Sequence, residues 1–453
     1  MQHEYAAARE RVSGLFLYSS AKFSLARRAR PRSDRMTLKL DDLRSDQEYS
    51  LLLSCCRARV READTAAQRR LADGLDSGRF LELVERHLVA PLVWHNLRQH
   101  PPGTFDPALM AALSAGFREN AFSELAITGE TIRLHRLLSE SAIPHGILKG
   151  LPVGQRYYGE AGLRQAGDID LLIPAPMLAE ASHLLAGAGY RISNPIDHLK
   201  PRQRSYFLFT DNQLELEAPG SGSVIELHWR PLQQPSTLAG LDLSRQMNRW
   251  AVADCRIPFL DDEETLLHLC AHGAKHAWYR MKWVFDLPNV LESREWDWHA
   301  LREKARRYRC ERELLLGLAI AEQLSNWEVP PVVRPWLDEF DAPRKYFGFI
   351  AQAITRPDRW MNTPAGIFGR NRYMMRFNDG LDCWTYQLAT IATSRRDWEL
   401  LPLPDALFPL YFLLSPITNA WEIGRRFVKG LSGDGRGSDP APGQPHSGGA
   451  PGR

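Results

Sequence analysis

Gly167-Asp168-Ile169-Asp170-Leu171-Leu172-Ile173 is the stretch on which the reading of this chain turns. Its apolar run, ended by Pro174, predicts a strand. Residues two apart in a strand share a face. Asp168 and Asp170 therefore project together, while Ile169, Leu171 and Ile173 fill the other side. Two carboxylates about 4 Å apart repel by about 4 kcal/mol at an effective dielectric near 20. A divalent cation removes that repulsion, and hard oxygen ligands in this arrangement suit Mg²⁺ held together with substrate phosphates. A solvated strand end whose acids do nothing fits the bare pattern equally well, so the flanking sequence has to decide.

Upstream, His145-Gly146-Ile147-Leu148 reads as a short buried strand running into Lys149-Gly150 and a helix that ends near Tyr158-Gly159. Backbone N–H groups at a helix start, with a lysine beside them, form a phosphate cradle. Arg164, four residues before Asp168, offers a second positive contact. Downstream, Met177, Ala181, Leu184, Leu185 and Ala188 lie on one face of a predicted helix stopped by Gly189. Either Tyr206–Thr210 or Gln213–Glu217 then pairs with Val224–Trp229 across the turn Pro219-Gly220-Ser221-Gly222. That second strand carries Glu226, with His228 beside it. A third carboxylate next to an Asp-x-Asp strand is what a two-metal phosphoryl or nucleotidyl transfer site needs.

These stretches resemble the uncharacterised nucleotidyltransferase family of the DNA polymerase β-like nucleotidyltransferase superfamily. The resemblance rests on Ile147-Leu148-Lys149-Gly150, Leu163-Arg164, the Asp168–Ile173 strand and Ile225-Glu226-Leu227-His228-Trp229, and extends over roughly 45–416. It implies an α/β (α+β) minimal nucleotidyltransferase core with a mixed sheet, flanked by N- and C-terminal helical domains. It implies Mg²⁺, two ions, and a nucleoside triphosphate such as ATP as substrate. Carried over residue by residue, Asp168, Asp170 and Glu226 become the catalytic carboxylates and metal ligands. Lys149, Gly150, Arg164 and His228 fall on the nucleotide side. Lys149-Gly150 stands where the superfamily carries Gly-Gly or Gly-Ser, and the 18 residues from Gly150 to Asp168 make a longer gap than usual. The resemblance names a reaction and no acceptor: a hydroxyl or a phosphate, on a small molecule, a protein side chain or an RNA end. Relief of like-charge repulsion predicts that Asn or Gln at the three acids leaves the metal-free protein as stable as before, or slightly more so.

Outward from this centre the chain divides by composition. The expected parts are a basic arm at 1–36, a helical region at 37–141, the α/β core at 142–235, a helical region packing on it at 236–330, a C-terminal helical region at 331–430 and a Gly/Pro/Ser tail at 431–453. The arm holds eight basic and three acidic side chains, a net of +5, so with +3 overall the remainder carries −2. Met36 is an alternative start. The tail has 14 Gly, Pro or Ser in 23 residues, too few apolar groups to order itself. A body of net −2 argues against tracking a nucleic-acid backbone.

Six scattered cysteines form no disulfide framework and no CxxC pair, which points to reduced thiols in the cytoplasm. No apolar run reaches the ~18 residues of a membrane span; Ala406–Trp421 is broken by Pro409 and Pro416. Leu266, Cys270, Gly273, Ala277, Met281 and Val284 predict one long helix carrying a stripe of His268, His272 and His276. The His272/His276 spacing is that of a zinc helix, but Gly273 replaces the glutamate of HExxH. These histidines, with Lys275, Lys282 and Asp286, either border the cleft or serve as polar packing. Walker A, GxGxxG and GxSxG motifs are absent. Besides the enzyme, two other functions fit: a nucleotidyltransferase-like module kept for binding, and a toxin-type transferase acting on tRNA.

Overall fold

A seven-stranded mixed sheet in the order β3-β4-β5-β2-β1-β7-β6 organises the protein. The strands are β1 (Gly146–Ile147), β2 (Asp168–Leu172), β3 (Arg191–Ile192), β4 (Gln213–Glu217), β5 (Val224–His228), β6 (Asn248–Val252) and β7 (Cys255–Phe259). The computed structural model describes residues 40–418 except 161, 242, 244–246, 341, 356–363, 376–380 and 417. Leu38–Tyr411 is one compact unit, and the architecture that follows belongs to it. Of the second unit, Met1–Thr37 with Phe412–Arg453, only part of 412–418 is described. The expected arm at 1–36 and tail at 431–453 lie outside the described residues.

β2 sits mid-sheet, antiparallel to β1 and parallel to β5. Its odd-numbered residues Ile169 and Leu171 join Ile225 and Leu227 of β5 on one buried face. That face packs on Ile127, Leu134 and Leu138 of the long helix Pro107–Glu140 and on Leu178, Ala181 and Leu185 of the helix Leu178–Gly187. At about 25 cal/mol per Å² of apolar surface removed from water, such burial is the main force holding the sheet. The opposite face carries only a small apolar cluster, Leu148, Leu172 and Leu260, and the acids of β2 and β5. A second, larger helical core joins the N-terminal helices to Asp262–Lys275, Met281–Leu291 and Glu311–Ser325.

Several sequence expectations need adjusting. Pro201–Thr210 is a helix, with Pro201 in its first turn and Gln203 capping Lys200, so Gln213–Glu217 is the strand that pairs with β5. The region 236–330 is not helical throughout, because β6 and β7 form a hairpin whose β7 pairs in parallel with β1. Its turn holds Ala253 at φ 51° in place of a Gly or Asn signal, which hid it from sequence inspection. The long helix expected over Leu266–Asp286 is two helices, Asp262–Lys275 and Met281–Leu291. Ala277 (φ 49°) and Trp278 (φ 53°) turn the chain left-handed between them. The Trp278 N–H donates to the Gly273 carbonyl at 2.9 Å, and its ring packs where a Cβ at Gly273 would meet it at 2.4 Å. Burying that indole outweighs continuing the helix. The five described cysteines are buried free thiols; the side chain of Cys383 lies outside the described residues. Among the described residues no helix is long and apolar enough to cross a membrane.

Candidate active site

β2 and β5 run in register, with Asp170 opposite Glu226, Asp168 opposite Val224 and Leu172 opposite His228. Paired residues in adjacent strands share a face. The register therefore brings Asp168, Asp170, Glu226 and His228 together on the side of the sheet opposite its main apolar core. β4 adds Glu215 directly opposite Glu226 on that face. Sequence inspection passed over Glu215, although the Leu214/Leu216 alternation marks it once the hairpin register is known. Like charges directly opposite destabilise a sheet, so this acidic concentration calls for cations.

Lys149 supplies one. The chain leaves β1 at Ile147, and Lys149 follows two residues on, before the helix Leu151–Tyr158. Its Nζ donates to Asp170 Oδ2 and lies 3.5 Å from Asp168 Oδ2. Burial opposes the charge on Lys149, but Asp168, Asp170 and Glu226 outweigh it and hold the ammonium above its ordinary pKa. Asp170 is 1 % exposed, and burial alone would raise its pKa. Lys149 and His228 instead hold it well below the carboxylate range. Asp168 and Glu226 stay more open, with side chains 34 % and 25 % exposed.

His228 is oriented by Asn212. Asn212 Nδ2 lies 3.2 Å from the Arg230 carbonyl and 2.9 Å from His228 Nδ1. A nitrogen facing a carbonyl must donate, so the same amide also donates to Nδ1, which assigns the ring proton to Nε2. Nε2 lies 3.4 Å from both Asp170 Oδ1 and Glu226 Oε2. Neither Nε2 nor Asp170 Oδ1 has a hydrogen-bond partner. Burial lowers the basicity of the imidazole, but the two carboxylates reverse this and leave its pKa raised.

Those orphaned buried atoms bear on whether a metal fits. Ligand atoms of Asp170, Glu226 and His228 lie within 4.8 Å of one another, the only such group among the described residues. Two converging carboxylates, a third on the same strand and an unsatisfied buried oxygen suit a hard cation. With its proton on Nε2, His228 turns an N–H and no lone pair toward the acids 3.4 Å away, leaving Asp168, Asp170 and Glu226 as the candidate oxygen ligands.

Gly150 takes φ 89°, ψ −131°, a conformation reserved for glycine, and caps the helix Leu151–Tyr158. Pro152 removes one of the N–H groups that helix start could offer. Arg164 does not stand free as a phosphate contact. It is 5 % exposed, and its Nε and Nη2 bind the Asp286 carboxylate at 2.7 and 2.9 Å. Its Nη1 reaches the Gly150 carbonyl at 3.4 Å, and the Tyr158 hydroxyl donates to Asp286 at 2.7 Å. Arg164 thus braces the Gly150 turn. Its sequence neighbourhood suggested an anion, and the anion it meets is a fully buried aspartate.

Along the helix Asp262–Lys275, His268 is buried close to this cluster; burial is the main cause of a pKa lowered to about 3, partly offset by Asp170. His272 packs edge-on to Trp283, and His276 stacks on it at 4.9 Å. All three imidazoles are held neutral by burial, and His276 also lines a cavity on this side of the helix. Lys275 and Lys282 are half-buried. Burial lowers the pKa of each, to about 8 for Lys282, while Glu226 acts on Lys275 and Asp168 on Lys282 in the opposite sense. Both lysines thus lie within electrostatic reach of the acids.

With this geometry in view, residues 73–326 match a family characterised as "uncharacterised nucleotidyltransferase". That span is more than half of the chain, and the chain belongs to this family. No curated protein matches the chain.

Proposed function

From membership of the uncharacterised nucleotidyltransferase family, we propose that the protein is a Mg²⁺-dependent transferase that moves NMP from an NTP to a hydroxyl of its acceptor by a two-metal mechanism. The observation that carries the reading is the register of β2 and β5, which sets Asp170 beside Glu226 with Asp168 on the same face. Asp168, Asp170 and Glu226 would hold the metal ions. Bound there, Mg²⁺ lowers the pKa of the attacking hydroxyl and stabilises the charge on the departing pyrophosphate.

The chain's own groups do the rest. The acceptor oxygen forms a bond to the α-phosphorus, and the bond from that phosphorus to the bridging oxygen breaks. Pyrophosphate leaves with the electron pair. Glu226, the more exposed carboxylate of the closest pair, accepts the hydroxyl proton. Lys149 becomes a counter-charge for the triphosphate once Asp170 is neutralised by other means, and Lys282 adds a second. Arg164 keeps Gly150 in its turn, and Asn212 keeps His228 Nε2 aimed at the acids.

A second reading, a binding module without turnover, is favoured by one observation: the Lys149 ammonium already lies among the carboxylates. One experiment separates the two. The full chain is incubated with radiolabelled ATP, CTP, GTP or UTP, with and without Mg²⁺, and pyrophosphate release is followed in the presence of candidate acceptors. Mg²⁺-dependent release that disappears in Asp168→Asn supports the transferase. Nucleotide binding with no release under any condition supports the module.

A further inference from the structure

A cavity of about 390 Å³, within the usual size range of small-molecule pockets, lies between the loop that follows β5 and the helices that come after it. Three walls form it. Gln234 and Thr237 come from the loop that leaves β5, a few residues after His228. Lys275 lies at the end of the helix Asp262–Lys275, and Glu313 is in the first turn of the helix Glu311–Ser325. Arg370 and Gln387 come from the helices Pro364–Met374 and Leu381–Ala392. Lys275 joins the cavity to the site, since the charges of Glu226 and Asp170 act on its ammonium.

We infer that this cavity holds the acceptor, and that the acceptor is a small hydroxylated anion of the sugar-phosphate class; the inference rests on the transferase reading above. Among the described residues neither Lys275 nor Arg370 is in a side-chain ion pair, and both line this one cavity. Two basic side chains in one concave site are matched by a phosphate better than by a neutral ligand. Glu313, which also lines the cavity, is 5 % exposed, and burial pushes its pKa up to about 8, so it brings little negative charge there at neutral pH. A protonated carboxyl, two glutamine amides and a threonine hydroxyl each donate and accept, the pairing that a polyol presents. The third wall lies beyond residues 73–326, outside the span shared with the family. Acceptor pockets vary on a common catalytic core, and a wall built from the chain's own additional helices is where such variation belongs. With its phosphate at Arg370 and Lys275, a sugar phosphate would turn a hydroxyl toward Glu226. That oxygen bonds to the α-phosphorus of the NTP, pyrophosphate leaves with the electron pair, and Glu226 takes the proton.

The test uses the full chain in thermal melts with roughly 10 mM ribose 5-phosphate, glucose 6-phosphate, glucose or inorganic phosphate, each without nucleotide. The expected result is a rise of about 2 °C or more with at least one sugar phosphate, and less with glucose or phosphate alone. Arg370→Ala, at an exposed position, and Gln387→Ala should each remove that rise while keeping the stabilisation by Mg-ATP. No shift with either sugar phosphate, a shift equalled by inorganic phosphate, or a shift that survives both substitutions overturns the inference and leaves the nucleotidyl-transfer reading standing. Sugar-phosphate binding together with no Mg-ATP effect overturns that reading instead.

Discussion

Lys149 and Asp170 form a buried ion pair at the centre of the sheet, the ammonium donating to the carboxylate and sharing its charge with Asp168. Asp170 is 1 % exposed and Lys149 9 %, so each depends on the other for its charged state. The resting site is thus partly neutralised: one lysine offsets the charge of Asp170, and the remaining carboxylates keep an excess of negative charge.

That pair reverses the stability expected of Asp170→Asn. Repulsion between carboxylates alone predicts no loss, or a small gain. With Lys149 present, the substitution takes away the carboxylate its buried ammonium donates to and leaves only the more distant Asp168 and the charge of Glu226. Breaking one side of a buried pair costs about 3–5 kcal/mol. Asp170→Asn should therefore lower the urea midpoint clearly, while Asp168→Asn and Glu226→Gln, at more exposed positions, change it by less than about 1 kcal/mol. Pyrophosphate release should fall by orders of magnitude in all three. An Asp170→Asn protein as stable as wild type would contradict the pairing.

Lys149→Met makes the complementary prediction. Without the ammonium, the acids repel and burial destabilises the charge on Asp170. The metal-free variant should melt several degrees lower than wild type. Mg²⁺ alone, with no nucleotide, should raise its melting temperature more than it raises that of wild type, because no lysine competes for the acids. Equal Mg²⁺ effects in the two proteins would show that the lysine and the cation do not share a place.

Asn212→Ala tests the orientation of His228. It removes the donor to Nδ1 and lets the ring change tautomer or rotate. Loss of such a supporting contact typically costs about 10–100-fold in activity or metal affinity. The expected fall in turnover should come with a stability loss of only about 1–2 kcal/mol. Unchanged turnover would remove Asn212 from the site.

The carboxyl of Glu313 gives a pH signature. Burial raises its pKa from 4.5 to about 8. Between those values the unfolded chain has lost a proton that the folded protein still holds, so stability falls as pH rises through that window. Glu313→Gln has no proton to lose. Relative to wild type it should be more stable at pH 8, by on the order of 2–4 kcal/mol, and nearly equal at pH 5. Denaturation midpoints at the two pH values decide it; a gain of the same size at both would mean that the carboxyl is already ionised in the folded protein.

Much of the core was legible because its signals are local. The alternation across Asp168–Ile173 set two acids on one face, Pro174 ended the strand, and the apolar stripe before Gly189 marked the helix that covers the buried side. The β6–β7 hairpin escaped because Ala253 adopts a conformation that sequence signals assign to glycine or asparagine. The break after Lys275 escaped because helical periodicity continues through Ala277 and Met281, and only the packing of Trp278 on Gly273 interrupts it.

By itself, then, the sequence determined that Asp168 and Asp170 share one face of a strand, since strand geometry needs no information from elsewhere in the chain. It also supplied the residues of family membership between 73 and 326. Tertiary structure decided the rest. Only the parallel register of β2 with β5 says which acid stands beside Asp170, and only the register of β4 brings in Glu215. Only folding takes Arg164 away from a substrate and gives it to Asp286, and brings helices from beyond residue 363 against Lys275. The physical reason is range. Backbone sterics and side-chain alternation act between near neighbours, whereas charge compensation and cavity shape depend on groups that meet only when distant segments pack together.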